Sequence, residues 1–176
     1  MRGRGFSLWA MPTGNVYAEL SEVIGQLSHR FESPSFEPHV TLLSGLDGPT
    51  KELTHKTATL AATIAPFKIS LQRFGYLEQY FRCFFIHADR TNALLEVHQR
   101  ASLLLGRSPD RGFMPHLSLV YGSLSAIEKE VLASELRLPM SIEFVVDALD
   151  LFSTEGEPRQ WRRIGHFPIG RPVEAE

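Results

Sequence analysis

Apolar and polar positions along the 176-residue chain change period several times, and each change predicts an element. Phe6–Met11 is apolar, contains Trp9, and stops at Pro12-Thr13-Gly14-Asn15, which predicts a strand followed by a turn. Val16, Leu20, Val23, Ile24, Leu27 and Phe31 then recur at helical spacing, with Glu19, Glu22, Gln26 and Arg30 on the other face. Ser33-Pro34-Ser35 ends that helix, and Pro38 stands at the mouth of the next strand, where a missing N–H is tolerated. A turn at Gly45–Pro49 leads into a helix over Thr50–Thr63 with a thin stripe of Leu53, Leu60 and Ile64. Next, Phe67, Ile69 and Leu71 alternate with Lys68, Ser70 and Gln72. A turn at Glu78-Gln79 joins this strand to a second, "YFRCFFIHA" over Tyr80–Ala88, which predicts a hairpin.

A third helix over Thr91–Leu105 turns Leu94, Leu95, Val97, His98, Ala101, Leu104 and Leu105 toward a core. The loop "GRSPDRG" delivers a strand over Met114–Tyr121, and Ser125 with Glu128 three residues on is a capping-box signature for a fourth helix to Leu136. Two strands, Ser141–Phe152 and Gln160–Ile169, close the chain. The order βαβαββ then αβαββ predicts an α/β or α+β fold, and the length predicts one domain over 1–176.

Composition narrows the class without choosing a function. Apolar residues are 43% and charged residues 22%, ordinary for a globular protein. The formal net charge is −2, with Lys and Arg scattered, so the sequence lacks the basic face of a protein that grips long nucleic acid. Cys83 is the only cysteine, which excludes an intrachain disulfide, suits a reducing compartment, and fits a small buried apolar residue. Arg2 and Arg4 precede too short an apolar run for a secretory signal, and acidic residues break "IEFVVDALDLF", so neither a signal nor a membrane span is expected. A cytoplasmic monomer is the expectation.

The chemistry lies in a duplication. "FEPHVTLL" at Phe36–Leu43 returns 77 residues on, His39 to His116, as "FMPHLSLV" at Phe113–Val120. In a strand, residues i and i+2 share a face roughly 7 Å apart, so His39 points with Thr41 and His116 with Ser118. A structural repeat needs apolar residues at such places and has no reason to repeat an imidazole and a hydroxyl on one face. Two such strands across a cleft would offer two imidazoles and two hydroxyls to one phosphorus. Phosphodiester hydrolysis by in-line displacement needs a base on the water, an acid on the leaving oxygen, and donors for the other oxygens. Histidine, with an ordinary pKa near 6.5, can fill either proton-transfer role near neutral pH.

The paired H-x-[ST]-x motifs, His39-Val40-Thr41-Leu42 and His116-Leu117-Ser118-Leu119, resemble those of the 2H phosphoesterases. Within them the chain is most similar to cyclic phosphodiesterases, through Trp9-Ala10-Met11-Pro12, the aromatic stretch "YFRCFF" at Tyr80–Phe85, and Tyr121 after the second motif. The resemblance implies a two-lobed fold of pseudo-symmetric halves, each an antiparallel sheet packed by helices, with the site in the cleft between them. It implies metal- and cofactor-independent opening of 2′,3′-cyclic nucleotides to 2′-phosphates, or of ADP-ribose 1″,2″-cyclic phosphate to ADP-ribose 1″-phosphate. His39 and His116 would be the acid–base pair, with the resemblance favouring His116 as base. Thr41 and Ser118 would hold phosphate oxygens, and Trp9 and Tyr121 would line the pocket.

Strand alternation alone puts Tyr121 on the face opposite His116, so its role requires a twist or bulge at the strand end. Arg82 stands where plant members often carry glutamine, and is a candidate for phosphate contact or a solvated strand residue. Arg107 and Arg111 read as solvated charge. His29, His55, His87, His98 and His166 have no second ligand at metal spacing, so no metal site is expected. Two alternatives stand beside the small cyclic phosphate: an RNA-end enzyme of the same superfamily, which the acidic balance disfavours, and a nucleotide-binding module without catalysis, which would not need two proton-transfer groups.

Overall fold

A computed structural model describes residues 3–139 and 141–170; Arg2, used above in reading the N-terminus, lies outside them. Among the described residues the chain runs β1 (Phe6–Ala10), α1 (Gly14–Arg30), β2 (Val40–Leu46), α2 (Thr50–Thr63), β3 (Phe67–Gly75), β4 (Phe84–Ala88), α3 (Asn92–Leu104), β5 (His116–Val120), α4 (Ala126–Glu135), β6 (Ile142–Val146), β7 (Ala148–Ser153) and β8 (Arg162–Pro168). No helix among them is long and apolar enough to cross a membrane.

The strands form one wholly antiparallel sheet in the order β6-β3-β4-β5-β2-β1-β7-β8. Its middle is its thinnest join: β5 and β2, the two motif strands, meet through the single register pair Val40–Leu117. Four strands lie on each side of that join, giving two lobes of one curled sheet rather than two separate sheets.

Two sequence expectations are corrected. Ser141–Phe152 is not one strand: it breaks at Asp147, whose carbonyl accepts the Ile169 N–H at 2.8 Å. β6 then pairs with β3 on one edge while β7 pairs with β1 in the other lobe, so lobes are not halves of the chain. Each segment alternates well enough to be a strand, and periodicity alone carries no sign of a change of lobe. The strand expected from Tyr80 starts only at Phe84, because Tyr80–Arg82 forms a 3₁₀ turn closed by Arg82 N–H to Gln79 O at 2.9 Å and Leu77 N–H to Arg82 O at 3.0 Å.

The duplication extends beyond the motifs. β1-α1-β2 and β4-α3-β5 are matching strand–helix–strand units whose strands are antiparallel neighbours. Their helices are exchanged: α1 packs on β5 and α3 on β2. Beneath the motif strands Val40, Leu42, Leu117 and Leu119 are at most 1% exposed, each contributing about 1.5–3 kcal/mol by burial. Alternation therefore turns the intervening motif residues toward the uncovered face. Ser125 caps α4 as expected, its hydroxyl accepting the Glu128 N–H while Glu128 accepts the Ser125 N–H.

Candidate active site

Because Val40 pairs with Leu117 in an antiparallel register, one step to either side sets His39 opposite Ser118 and Thr41 opposite His116. The four motif side chains thus share one face, with each imidazole diagonal to the other. They line a cleft of about 620 Å³ together with Tyr121, Phe81 and Trp161.

Both imidazoles are held in the same way. His39 Nδ1–H donates to the carbonyl of Glu37 at 2.7 Å, and His116 Nδ1–H to that of Met114 at 2.9 Å, each two residues upstream. Pro38 and Pro115 bias Glu37 and Met114 to extended backbone and so repeat the arrangement. In each neutral ring this leaves Nε2 with a lone pair for the cleft.

The surroundings differ. Trp9, opposite Thr41 on β1, stacks on His39 with ring centroids 3.6 Å apart at 9°, and its other face stacks on Phe152 at 3.8 Å. With both faces covered and 2% exposure, Trp9 backs the imidazole instead of offering a free stacking surface. Phe85, opposite Ser118 on β4, is the corresponding residue for His116, tilted at 59° with centroids 5.0 Å apart. Burial lowers the pKa of His39 from 6.5 to about 4, against the Glu37 carbonyl and with help from the charge of His116. Burial also lowers that of His116, against the Met114 carbonyl and reinforced by Arg82 and His87.

Thr41 is half-buried and its hydroxyl makes no hydrogen bond among the described residues. Ser118 is 5% exposed, and its hydroxyl donates to Phe81 O at 2.9 Å, tying β5 to the turn that carries Arg82. Arg82 lies on that turn rather than in a strand, lines the cleft, and bears on His116. Tyr121 lies beyond the end of β5, where strand alternation no longer applies, and lines the cleft. It stacks on Phe36 at 3.7 Å, and burial raises its hydroxyl pKa, with Ser118 opposing.

Several neighbours are not legible as such in the sequence. Trp161 sits edge-on to both Trp9 and Tyr121, with 5.9 Å between centroids in each pair. Arg107, expected as solvated charge, lines the cleft and donates to Gly45 O at 2.9 Å. The charged residues lining the cleft, apart from histidines, are Arg4, Arg82, Arg107 and Asp110, a local positive excess within a chain of net charge −2. Such a surface attracts anions. His98 is buried in the core, donating Nδ1–H to Leu42 O at 2.9 Å and stacking on Phe113 at 3.8 Å. Among the described residues, no group of three or more His, Cys, Asp or Glu converges as metal ligands would.

The chain has relatives among known proteins. The family model of the 2′-5′ RNA ligase superfamily matches residues 17–158. A curated relative, "Cyclic phosphodiesterase" of Arabidopsis thaliana, is 24% identical over 125 residues, covering 71% of this chain and 69% of its own. The structure of TT0787 from Thermus thermophilus superposes with a TM-score of 0.67 at 20% identity, covering 94% of this chain and 98% of that one. Escherichia coli LigT, crystallised with 3′-AMP, gives 0.61 at 14% identity, covering 97% of this chain and 100% of its own.

Proposed function

Since the chain belongs to the 2′-5′ RNA ligase superfamily, the 2H phosphoesterases, we propose that it hydrolyses small cyclic phosphodiesters with His39 and His116 as a general acid–base pair. The observation that carries this reading is the matched pair of Nδ1–H to carbonyl hydrogen bonds, which leaves two Nε2 atoms for one cleft. In the free protein burial keeps both rings neutral near pH 7. An anionic phosphate between them raises their affinity for a proton, so that one ring enters the reaction protonated and the other as base. The neutral ring takes a proton from water as its oxygen bonds to phosphorus. The protonated ring gives its proton to the ring oxygen of the cyclic phosphate as the P–O bond breaks.

The Thr41 hydroxyl is a donor for a non-bridging oxygen, and Ser118 becomes one by giving up its bond to Phe81. Arg82 balances the phosphate's charge from the His116 side. Half-buried Trp161 is the wall against which the nucleoside rests, backed by the buried rings of Tyr121 and Trp9, the latter holding His39. Favoured substrates are 2′,3′-cyclic nucleotides, yielding 2′-phosphates, and ADP-ribose 1″,2″-cyclic phosphate, yielding ADP-ribose 1″-phosphate. The cyclic phosphodiesterase relative and the 3′-AMP held by LigT support a small nucleotide ligand.

Purified protein with a chelator, incubated with each cyclic phosphate and followed by separation of 2′- from 3′-phosphate products, tests the proposal. Metal-independent 2′-phosphate or ADP-ribose 1″-phosphate supports it, and intact substrates throughout contradict it. The superfamily match and the arginines Arg4 and Arg107 give an RNA end as the second reading, which steeply salt-dependent RNA binding would favour.

A further inference from the structure

One residue outside the motifs is linked to His39 by two routes, through a stack of rings and through Glu37. Arg163, on β8, donates Nε–H to Asp150 Oδ1 at 3.0 Å, and its Nη2 lies 3.4 Å from Glu37 Oε2 and 3.7 Å from Met11 Sδ. Its guanidinium stands 5.5 Å above the Phe152 ring. Phe152 stacks on Trp9 and Trp9 on His39, making a four-layer column from guanidinium to imidazole. Glu37 is the residue whose carbonyl receives His39 Nδ1–H. Asp150 lies opposite Trp9 in the β1–β7 register.

Asp150 explains why Arg163 stays there. Its side chain is 4% exposed, and a buried charge must be compensated. Arg163 does so together with His166, whose Nδ1 is 2.9 Å from Asp150 Oδ1. The contact to Glu37 is between half-exposed side chains and adds little energy, but it supplies position. Residues 33–39 belong to no helix or strand, so the carbonyl that orients His39 sits in irregular chain.

The His116 side needs no such tie. There Ala88 N–H donates to Pro115 O at 3.0 Å, fixing the segment beside Met114 by a backbone bond.

We propose that Arg163 is a positioning residue for His39, holding its ring through the Phe152–Trp9 column and its tautomer through Glu37. The inference rests on the reading of His39 as a proton-transfer group, because only then does its orientation set a rate.

The test uses the full chain with Arg163→Gln, Arg163→Lys and Glu37→Gln. Two readouts are taken: kcat and KM on a 2′,3′-cyclic nucleotide, and the imidazole ¹⁵N–¹H correlations that report each histidine's tautomer. Arg163→Gln is expected to lower kcat between roughly 10- and 100-fold with KM almost unchanged, and to mix the His39 tautomers while His116 stays as it was. Arg163→Lys, which keeps the charge without the planar fork, should recover part of the loss. Glu37→Gln leaves the backbone carbonyl in place, so its smaller kcat loss and His39 shift would travel through the tie alone.

Unchanged kcat and His39 signals in Arg163→Gln overturn the proposal, and so do His39 and His116 signals that move together. Should Arg163→Gln fail to fold, Glu37→Gln decides by the same signals, and a motionless His39 overturns it. Absence of turnover by the unsubstituted protein would contradict the proposed function, while the imidazole signals would still decide the role of Arg163.

Discussion

The two motif segments share four identical residues of eight, the histidine among them, yet one imidazole is enclosed by side chains and the other is steadied by backbone. His39 is 5% exposed, stacked face to face on Trp9, and oriented by a carbonyl in irregular chain. His116 is half-buried, touched obliquely by Phe85, and oriented by a carbonyl next to a residue hydrogen-bonded to β4. A duplicated motif thus fixes which groups face the cleft, while the residues behind it set how rigid and how easily protonated each one is.

The most damaging changes should ignore that difference. His39→Ala and His116→Ala are each expected to lower kcat/KM on a cyclic nucleotide by about 10² to 10⁴-fold without loss of fold, as measured by initial rates and circular dichroism. Full activity in either variant would show that the pair is not acting as a pair.

Trp9→Ala should separate the two sides. It removes a buried ring from between His39 and Phe152 and is expected to cost about 3–5 kcal/mol in urea unfolding. The His39 tautomer should change with it, whereas Phe85→Ala should disturb His116 and leave His39 alone.

Acid should act mainly through the enclosed side. The unfolded chain keeps the ordinary histidine value of 6.5, while folded His39 titrates at about 4, so between those values the unfolded chain binds the extra proton. Stability is therefore full above pH 6.5 and falls as pH drops toward 4, by up to about 3 kcal/mol from this group. His116 is shifted in the same direction and adds to the loss. Urea midpoints at pH 7 and 4.5 should differ less in His39→Phe than in the unsubstituted protein.

The hydroxyls provide the finest distinction. Thr41→Val should lower kcat about 100-fold by removing a donor to phosphate. Ser118→Ala should also raise KM, because it releases the Phe81 carbonyl and with it the turn that carries Arg82. Equal kcat and KM effects in the two variants would argue against separate tasks.

Much of this is legible in the sequence because the information is local. The helix starting after Ser125, the alternation through Phe67, Ile69 and Leu71, and the repeated Pro-His each depend on neighbours a few residues away. What escapes depends on residues distant in sequence. Phe152 and Arg163 stand behind Trp9, and so behind His39, because the chain breaks at Asp147 and carries β7, with β8 beside it, next to β1. Nothing in the pattern of 141–152 signals that crossing, since both segments have valid strand alternation. Arg107 is exposed, as a solvated charge should be; what its sequence position does not show is the bond to the Gly45 carbonyl, which lies in the other repeat unit. Alternation misplaces Tyr121 because the strand ends one residue before it.

Whether both motifs serve a single phosphorus is tested most directly by an NMR titration of the unsubstituted protein with a nucleoside 2′-monophosphate in the presence of chelator, following both active-site imidazoles. A shared phosphate should move the His39 and His116 signals together along one binding curve, with both Nε2 atoms responding. A response from one ring alone, or two separate curves, would contradict the convergence of the two motifs on a single phosphorus.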